Sequence, residues 1–257
     1  MYAVHLTLEG NTMDSDRRRS LAAGVLFLIT FVTSIPGALL YGPVLNDPHF
    51  VLGAGASGPV LAGALLEIAL VIANLGTALV LYPVLRRTSP ALALAYVVAR
   101  VMESTLIAVG ILSLLTVVTL RQDGTPAGGT AAAAVVVSQA LVALHGWTFL
   151  LGPGFVVGLG NGLILGWMLH RARLLPRGWA WVGIIGGPLV SLSGIAVLLG
   201  LYDQVSAWSV VLTLPEVVWE LFLGVYLTLH GFHARARQAT TPGTTPAAPP
   251  AAVTPAT

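Results

Sequence analysis

Seven polar side chains stand inside stretches that are otherwise apolar: Glu67, Asn74, Arg100, Glu103, His145, Glu216 and Glu220. Their spacing groups them if the stretches are helical. Arg100 and Glu103, three apart, share a helix face, and so do Glu216 and Glu220, four apart. Asn74 lies two turns from Glu67 on that residue's face. Four carboxylates then stand against one arginine. A guanidinium holds one or two carboxylates through paired hydrogen bonds. The spacing predicts that Arg100 is the counter-ion of Glu103 and of at least one of Glu67, Glu216 and Glu220. The surplus must be protonated, hydrated, or paired with a cation or with His145. Three chemistries fit: a binding or conduction site for a proton, a cation or a small polar solute; a polar network that only holds helices together; and, a weaker fit, a catalytic site in a membrane-embedded enzyme.

The surrounding elements explain why these charges matter. The chain has 257 residues, 56% hydrophobic and 9% charged, with a mean hydropathy of +0.88. A soluble domain carries about 25% charged residues, so the solvent here is lipid. Six runs are long enough to cross a bilayer as helices: about 20–41, 59–85, 91–118, a fourth ending near 169, 179–200 and 209–230. A lipid-facing β-barrel would instead alternate over segments of about ten residues. The predicted fold class is all-α, a polytopic bundle of six spans. At ~1.5 Å per residue, Glu67 lies ~12 Å and Glu220 ~16 Å from the same membrane face, with Glu103 near mid-span. Charges at that depth cost about 2.5–3.5 kcal/mol each and should point into the bundle.

Arginine placement gives the threading. Arg17, Arg18 and Arg19, then Arg86 and Arg87, then Arg171, Arg173 and Arg177, then Arg235 and Arg237 all fall on one side of a six-span chain; the other side holds only Arg121. The positive-inside rule makes both termini cytoplasmic. The same placement accounts for the net charge of +2, whose basic residues are all arginine, without invoking nucleic acid, and the partner expected instead is the lipid bilayer. There is no cysteine, which excludes disulfides and thiol chemistry. Residues 1–19 read as a cytoplasmic tail, 20–232 as the bundle, and 233–257, rich in Ala, Pro and Thr, as a disordered cytoplasmic tail. Oligomeric state is left open.

Two features of the apolar runs carry further expectations. Gly154, Gly158, Gly162 and Gly166 recur every four residues on span 4, and Gly183, Gly187 and Ser191 on span 5. Such strips let membrane helices approach closely, or line a path. The stretch 131–169 is too long for one span, and Gly152, Pro153 and Gly154 predict a break in it. Residues 131–147 then form a partly interfacial helix feeding the true span.

Three motifs are weighed and set aside. "GASG" at 55–58 matches the serine motif of rhomboid proteases, but span 6 has no histidine before His230 at its end. Glu216 and Glu220 resemble an ExxxE metal pair without a histidine to complete it. His145 and His230 lie near opposite faces, which argues against haem ligation. No metal, cofactor or catalytic residue is assigned.

The segments "ARVMESTLIAVGILSLL", "LHGWTFLLGPGFVVGLGNGLILGWMLHRARLLPRGWAWVGIIGGP" and "TLPEVVWELFLGVYLTLHGF" resemble a family of bacterial integral membrane proteins, domain of unknown function 4386. The resemblance covers about residues 18–233. It implies a six-helix bundle in a bacterial cytoplasmic membrane and supplies no reaction. The matching segments include Arg100, Glu103, His145, Glu216 and Glu220. Where family members often have an acidic residue after the histidine, this chain has Gly146, which removes a His–Asp pair.

Overall fold

A computed structural model of the chain describes residues 2–53, 57–123, 129–176 and 178–233. Among these residues every regular element is helical. Six helices are long and apolar enough to cross a membrane. In chain order, α1 (Tyr2–Leu40) is followed by the short α2 (Gly42–Asn46) and a 3-10 turn at Phe50–Leu52. Next come α3 (Gly58–Leu85), α4 (Pro90–Gln122) and α5 (Gly129–Leu151). Two π-helical stretches, Gly152–Val156 and Gly158–Leu165, lead into α6 (Gly166–Arg171). The chain closes with α7 (Trp179–Leu198) and α8 (Ala207–Leu229).

Local sequence sets several of these boundaries. Ser89 caps α4 by accepting from Leu92 N, with Pro90 in the first turn, where its missing N–H costs nothing. Ser206 caps α8 through Ser209 N. Gly200 and Gly231 close α7 and α8 at φ +73° and +77°, a conformation that disfavours a Cβ. α1 begins far before the expected start near residue 20. Outside lipid a helix needs no continuous apolar run, so composition does not mark its first turn. The expected tail 233–257 lies, His233 apart, outside the described residues, and so does the first half of "GASG".

The basic segments gather at one end. Arg87 pairs with Asp16 at 2.8 Å. Arg17 donates to the carbonyls of Leu227 and Thr228 at the α8 C-terminus, where a cation meets the negative end of the helix dipole. His233 N donates to Leu174 O at 2.7 Å. At the far end Arg121 lies over the Phe50 ring, 3.9 Å from its centroid.

The expected break in span 4 is absent. Residues 131–171 form one uninterrupted helix of 41 residues. Pro153 has no N–H to give, and the glycines around it relax the backbone into wider π turns rather than stopping the helix. Nor is 131–147 a separate interfacial helix. Ala134, Val135, Leu141 and Val142 pack with Phe50, Val117 and Val118 in the far-end core. The near-end core joins Phe27, Leu81, Tyr96, Met168 and Trp219 from five helices.

Candidate functional site

Arg100 belongs to a closed ring. It donates to Glu103 Oε2 at 2.8 Å and to Asn74 Oδ1 at 2.5 Å, while Asn74 Nδ2 donates to Glu103 Oε1 at 3.2 Å. The three side chains are 1%, 2% and 5% exposed for Arg100, Asn74 and Glu103. Helical spacing on α4 supplies the ion pair, and α3 supplies the amide that ties both ends of it. The direct bonds of Arg100 to a carboxylate go to Glu103 alone, so the second expected partner is replaced by Asn74. An amide can donate to the acid and accept from the base at once. It therefore neutralises nothing but bridges the two, and the Arg100 Nε alone in the ring has no partner among the described residues.

The remaining carboxylates are held differently. Glu67 accepts from the Tyr41 hydroxyl at 2.8 Å. Tyr41 sits just past α1 and is fully buried. Glu220 is half-buried and accepts from Asn161 Nδ2 at 2.5 Å, and Trp219 Nε1 fixes the Asn161 carbonyl at 3.0 Å. Glu216 is 3% exposed, and neither of its carboxyl oxygens has a hydrogen-bond partner among the described residues. It lies against Gly162, where any Cβ would overlap its Oε2.

These groups frame a cavity of ≈ 550 Å³. Glu67, Asn74, Glu103, Glu216 and Glu220 line it. Arg100 stands behind Asn74 and Glu103, outside the lining. The other walls are largely apolar. Ile35 and Leu39 of α1 and Val210 and Leu214 of α8 face it, with Pro153, Val157 and Val190 behind. His145 lies on the far side of Glu67. The two share a second space of ≈ 10 Å³, about one water molecule. The imidazole meets the Tyr41 ring edge-on at 5.4 Å and packs into a notch at Gly110. Five of the seven polar residues thus meet on one cavity, one braces it from behind, and one adjoins it through Glu67.

The glycine strip brings backbones together beside this cavity. A Cβ on Gly158 would overlap Gly187 O and lie 2.5 Å from Ser191 Oγ. One on Gly162 would meet Gly187 N at 2.8 Å, and one on Gly166 Ile184 N at 3.1 Å. Gly194 meets Gly154 O at 2.8 Å. Ser191 Oγ donates to Phe155 O at 3.0 Å. Gly183 faces elsewhere: its notch receives the Trp219 indole of α8, 2.5 Å from where a Cβ would stand.

Sequence reasoning missed Asn161 and Tyr41. A lone amide within "GLGNGL" was the available signal for Asn161. Tyr41 gave none, because a tyrosine at the end of a span reads first as an interfacial anchor. Among the described residues no three His, Asp or Glu side chains gather as a metal site.

The family model for the domain of unknown function DUF4386 matches residues 22–231, which is nearly the whole bundle and every residue of the cavity floor. The chain belongs to the DUF4386 family. This DUF4386 chain is a multi-pass membrane protein by composition and helix length. No curated protein and no solved structure matches it, so the geometry itself must supply the functional reading.

Proposed function

We propose that this DUF4386 protein binds a small solute presenting positive charge or hydrogen-bond donors on the carboxylate floor of its cavity. One observation carries the reading. Glu216 is buried on that floor with both oxygens unpartnered. A network that only glues helices gains from satisfying every member, because an unmet buried acceptor costs about 1–3 kcal/mol. In the Arg100–Glu103–Asn74 ring every oxygen is met, with only the Arg100 Nε lacking a partner among the described residues, and it serves as the structural part. Glu216 differs: its oxygens are sealed against neighbours at Gly162, and the carboxylate would turn toward the cavity to meet a cationic or donor group entering it. Three anionic or acidic neighbours, Glu67, Glu103 and Glu220, share the lining and favour the same sign of ligand. The same reading puts the protein in the bacterial cytoplasmic membrane with both termini inside, supported by the gathering of Arg17, Arg87 and the loop after α6 at one end among the described residues.

The test uses purified protein in phosphatidylcholine nanodiscs. Methylammonium and guanidinium should raise the unfolding temperature of the wild type in a saturable manner. Glu216→Gln should fold and lose that response. An equal response in both proteins would overturn the reading, as would none in the wild type.

A further inference from the structure

We infer that the occupant of the cavity is a single-chain amphiphile with a cationic head, and that it enters sideways from the lipid between α1 and α8. This rests on the proposed binding of positive charge at Glu216 and adds the class of the molecule and its route. The two helices meet at the basic end. Ser20 Oγ donates to Leu227 O at 3.0 Å, and a Cβ on Gly24 would lie 2.5 Å from Thr228 N. Toward the far end the cavity lies between them. Its lining residues on both sides are also exposed on the surface of the bundle: Ile35 56% and Leu39 74% on α1, Val210 63% and Leu214 54% on α8. A side chain that lines a cavity and is also more than half exposed at span depth marks an opening to lipid.

Polarity is divided along this space. The floor holds carboxylates, while the walls toward the opening are mainly Ile, Leu, Val and Phe side chains, with Ser34, Ser209 and Thr213 interspersed. A small hydrophilic cation would meet the floor and leave the apolar walls uncovered. An alkyl chain covers them, and a cationic head at its end reaches Glu216. The volume, ≈ 550 Å³, lies within the roughly 300–1,000 Å³ of pockets that enclose a drug-sized molecule. Moving an alkyl chain from bilayer to cavity exchanges one apolar medium for another. Selectivity must therefore come from the head.

The probe is a dodecylamine carrying a diazirine near the end of its chain, photolysed with the protein in phosphatidylcholine nanodiscs. Labelled peptides are mapped by mass spectrometry. Labelling should concentrate on residues 31–39 and 210–217. It should exceed that by the matching alcohol, and Glu216→Gln should lower it by about 10- to 100-fold, the worth of one lost charge-assisted hydrogen bond. Ser34→Phe and Thr213→Phe narrow the apolar part without touching the floor. Each should abolish labelling by the amine while leaving stabilisation by methylammonium intact. Equal labelling by amine and alcohol would mean that ordinary lipid fills the space, and the proposal falls. Methylammonium stabilisation without amine labelling would sink the amphiphile while sparing the binding reading; loss of both would sink both. Competition by phosphatidylethanolamine incorporated in the nanodisc would assign the site to a two-chain lipid headgroup and overturn the single-chain occupant.

Discussion

Replacing Arg100 by methionine tests whether the ring on α3 and α4 is structural. Methionine keeps most of the apolar stem and removes the guanidinium, so packing loss is small and the change is mainly electrostatic. Two short hydrogen bonds disappear, at 2.8 Å to Glu103 and 2.5 Å to Asn74. Each is charge-assisted and contributes about 1.5–3 kcal/mol. Glu103 is left 5% exposed with only the Asn74 amide as a donor. Breaking a buried pair from one side typically costs about 3–5 kcal/mol, and that is the expected loss for Arg100→Met. Glu103→Gln in the same chain removes the stranded charge and keeps an acceptor for Asn74. The double variant should recover most of the deficit, with a coupling energy of about 2–3 kcal/mol, the upper part of the range for contacting residues. The assay is equilibrium unfolding in mixed micelles of dodecylmaltoside and dodecyl sulfate, completed as a double-mutant cycle. Arg100→Met as stable as wild type, or strictly additive losses, would refute the reasoning. Arg100 lies behind the floor but Glu103 lines it, so the double variant should respond to methylammonium more weakly than the wild type while still responding through Glu216.

Gly187→Ala should cost about 1–3 kcal/mol by overpacking against Gly158 and Gly162, whereas Gly146→Ala, with nothing within 4 Å of the new methyl, should be neutral or slightly stabilising; thermal unfolding of both separates packing from helix propensity. Tyr41→Phe removes the hydrogen bond that Glu67 accepts and should cost about 1–3 kcal/mol, read as the unfolding midpoint in micelles; an unchanged midpoint would contradict the pairing. Asn161→Asp places a carboxylate against Glu220 in place of the donated hydrogen bond and should lower stability by more than Asn161→Ala, as read by the unfolding midpoint in micelles. Reporter fusions at Gly124 and at the C-terminus should report opposite sides of the membrane, and the same side from both would overturn the threading.

The architecture was legible because lipid constrains sequence strongly. Apolar run length marked all six spans, and the i,i+3 spacing of Arg100 and Glu103 placed their ion pair on one face. That carboxylates of α3, α4 and α8 face a common cavity followed from the cost of leaving them in lipid. What stayed hidden depends on tertiary choice. Asn74 could have pointed at Glu67, and whether it bridges Arg100 to Glu103 depends on how α3 and α4 are rotated about their axes. Gly183 fits the four-residue rhythm of its neighbours yet serves Trp219, since an indole and a backbone fill the same notch. At Gly152–Gly154 the sequence signals a stop, but neighbours on both sides keep the backbone helical. The cavity leaves no mark in any single span, being the space between helices whose near ends meet and whose far ends do not.

The backbone-to-backbone seam between the π-helical stretch and α7 has an evolutionary consequence. A glycine has no side chain left to trim, and each of Gly158, Gly162 and Gly187 meets main-chain atoms where a methyl would go. That side of the cavity is frozen: mutation can neither carve it deeper nor fill it without prising the helices apart. Ile35, Leu39, Val210 and Leu214, each with an open flank, carry no such penalty. If relatives accept differently shaped molecules, the record of that divergence should be written on α1 and α8, with the seam and the Arg100 ring held constant beneath it.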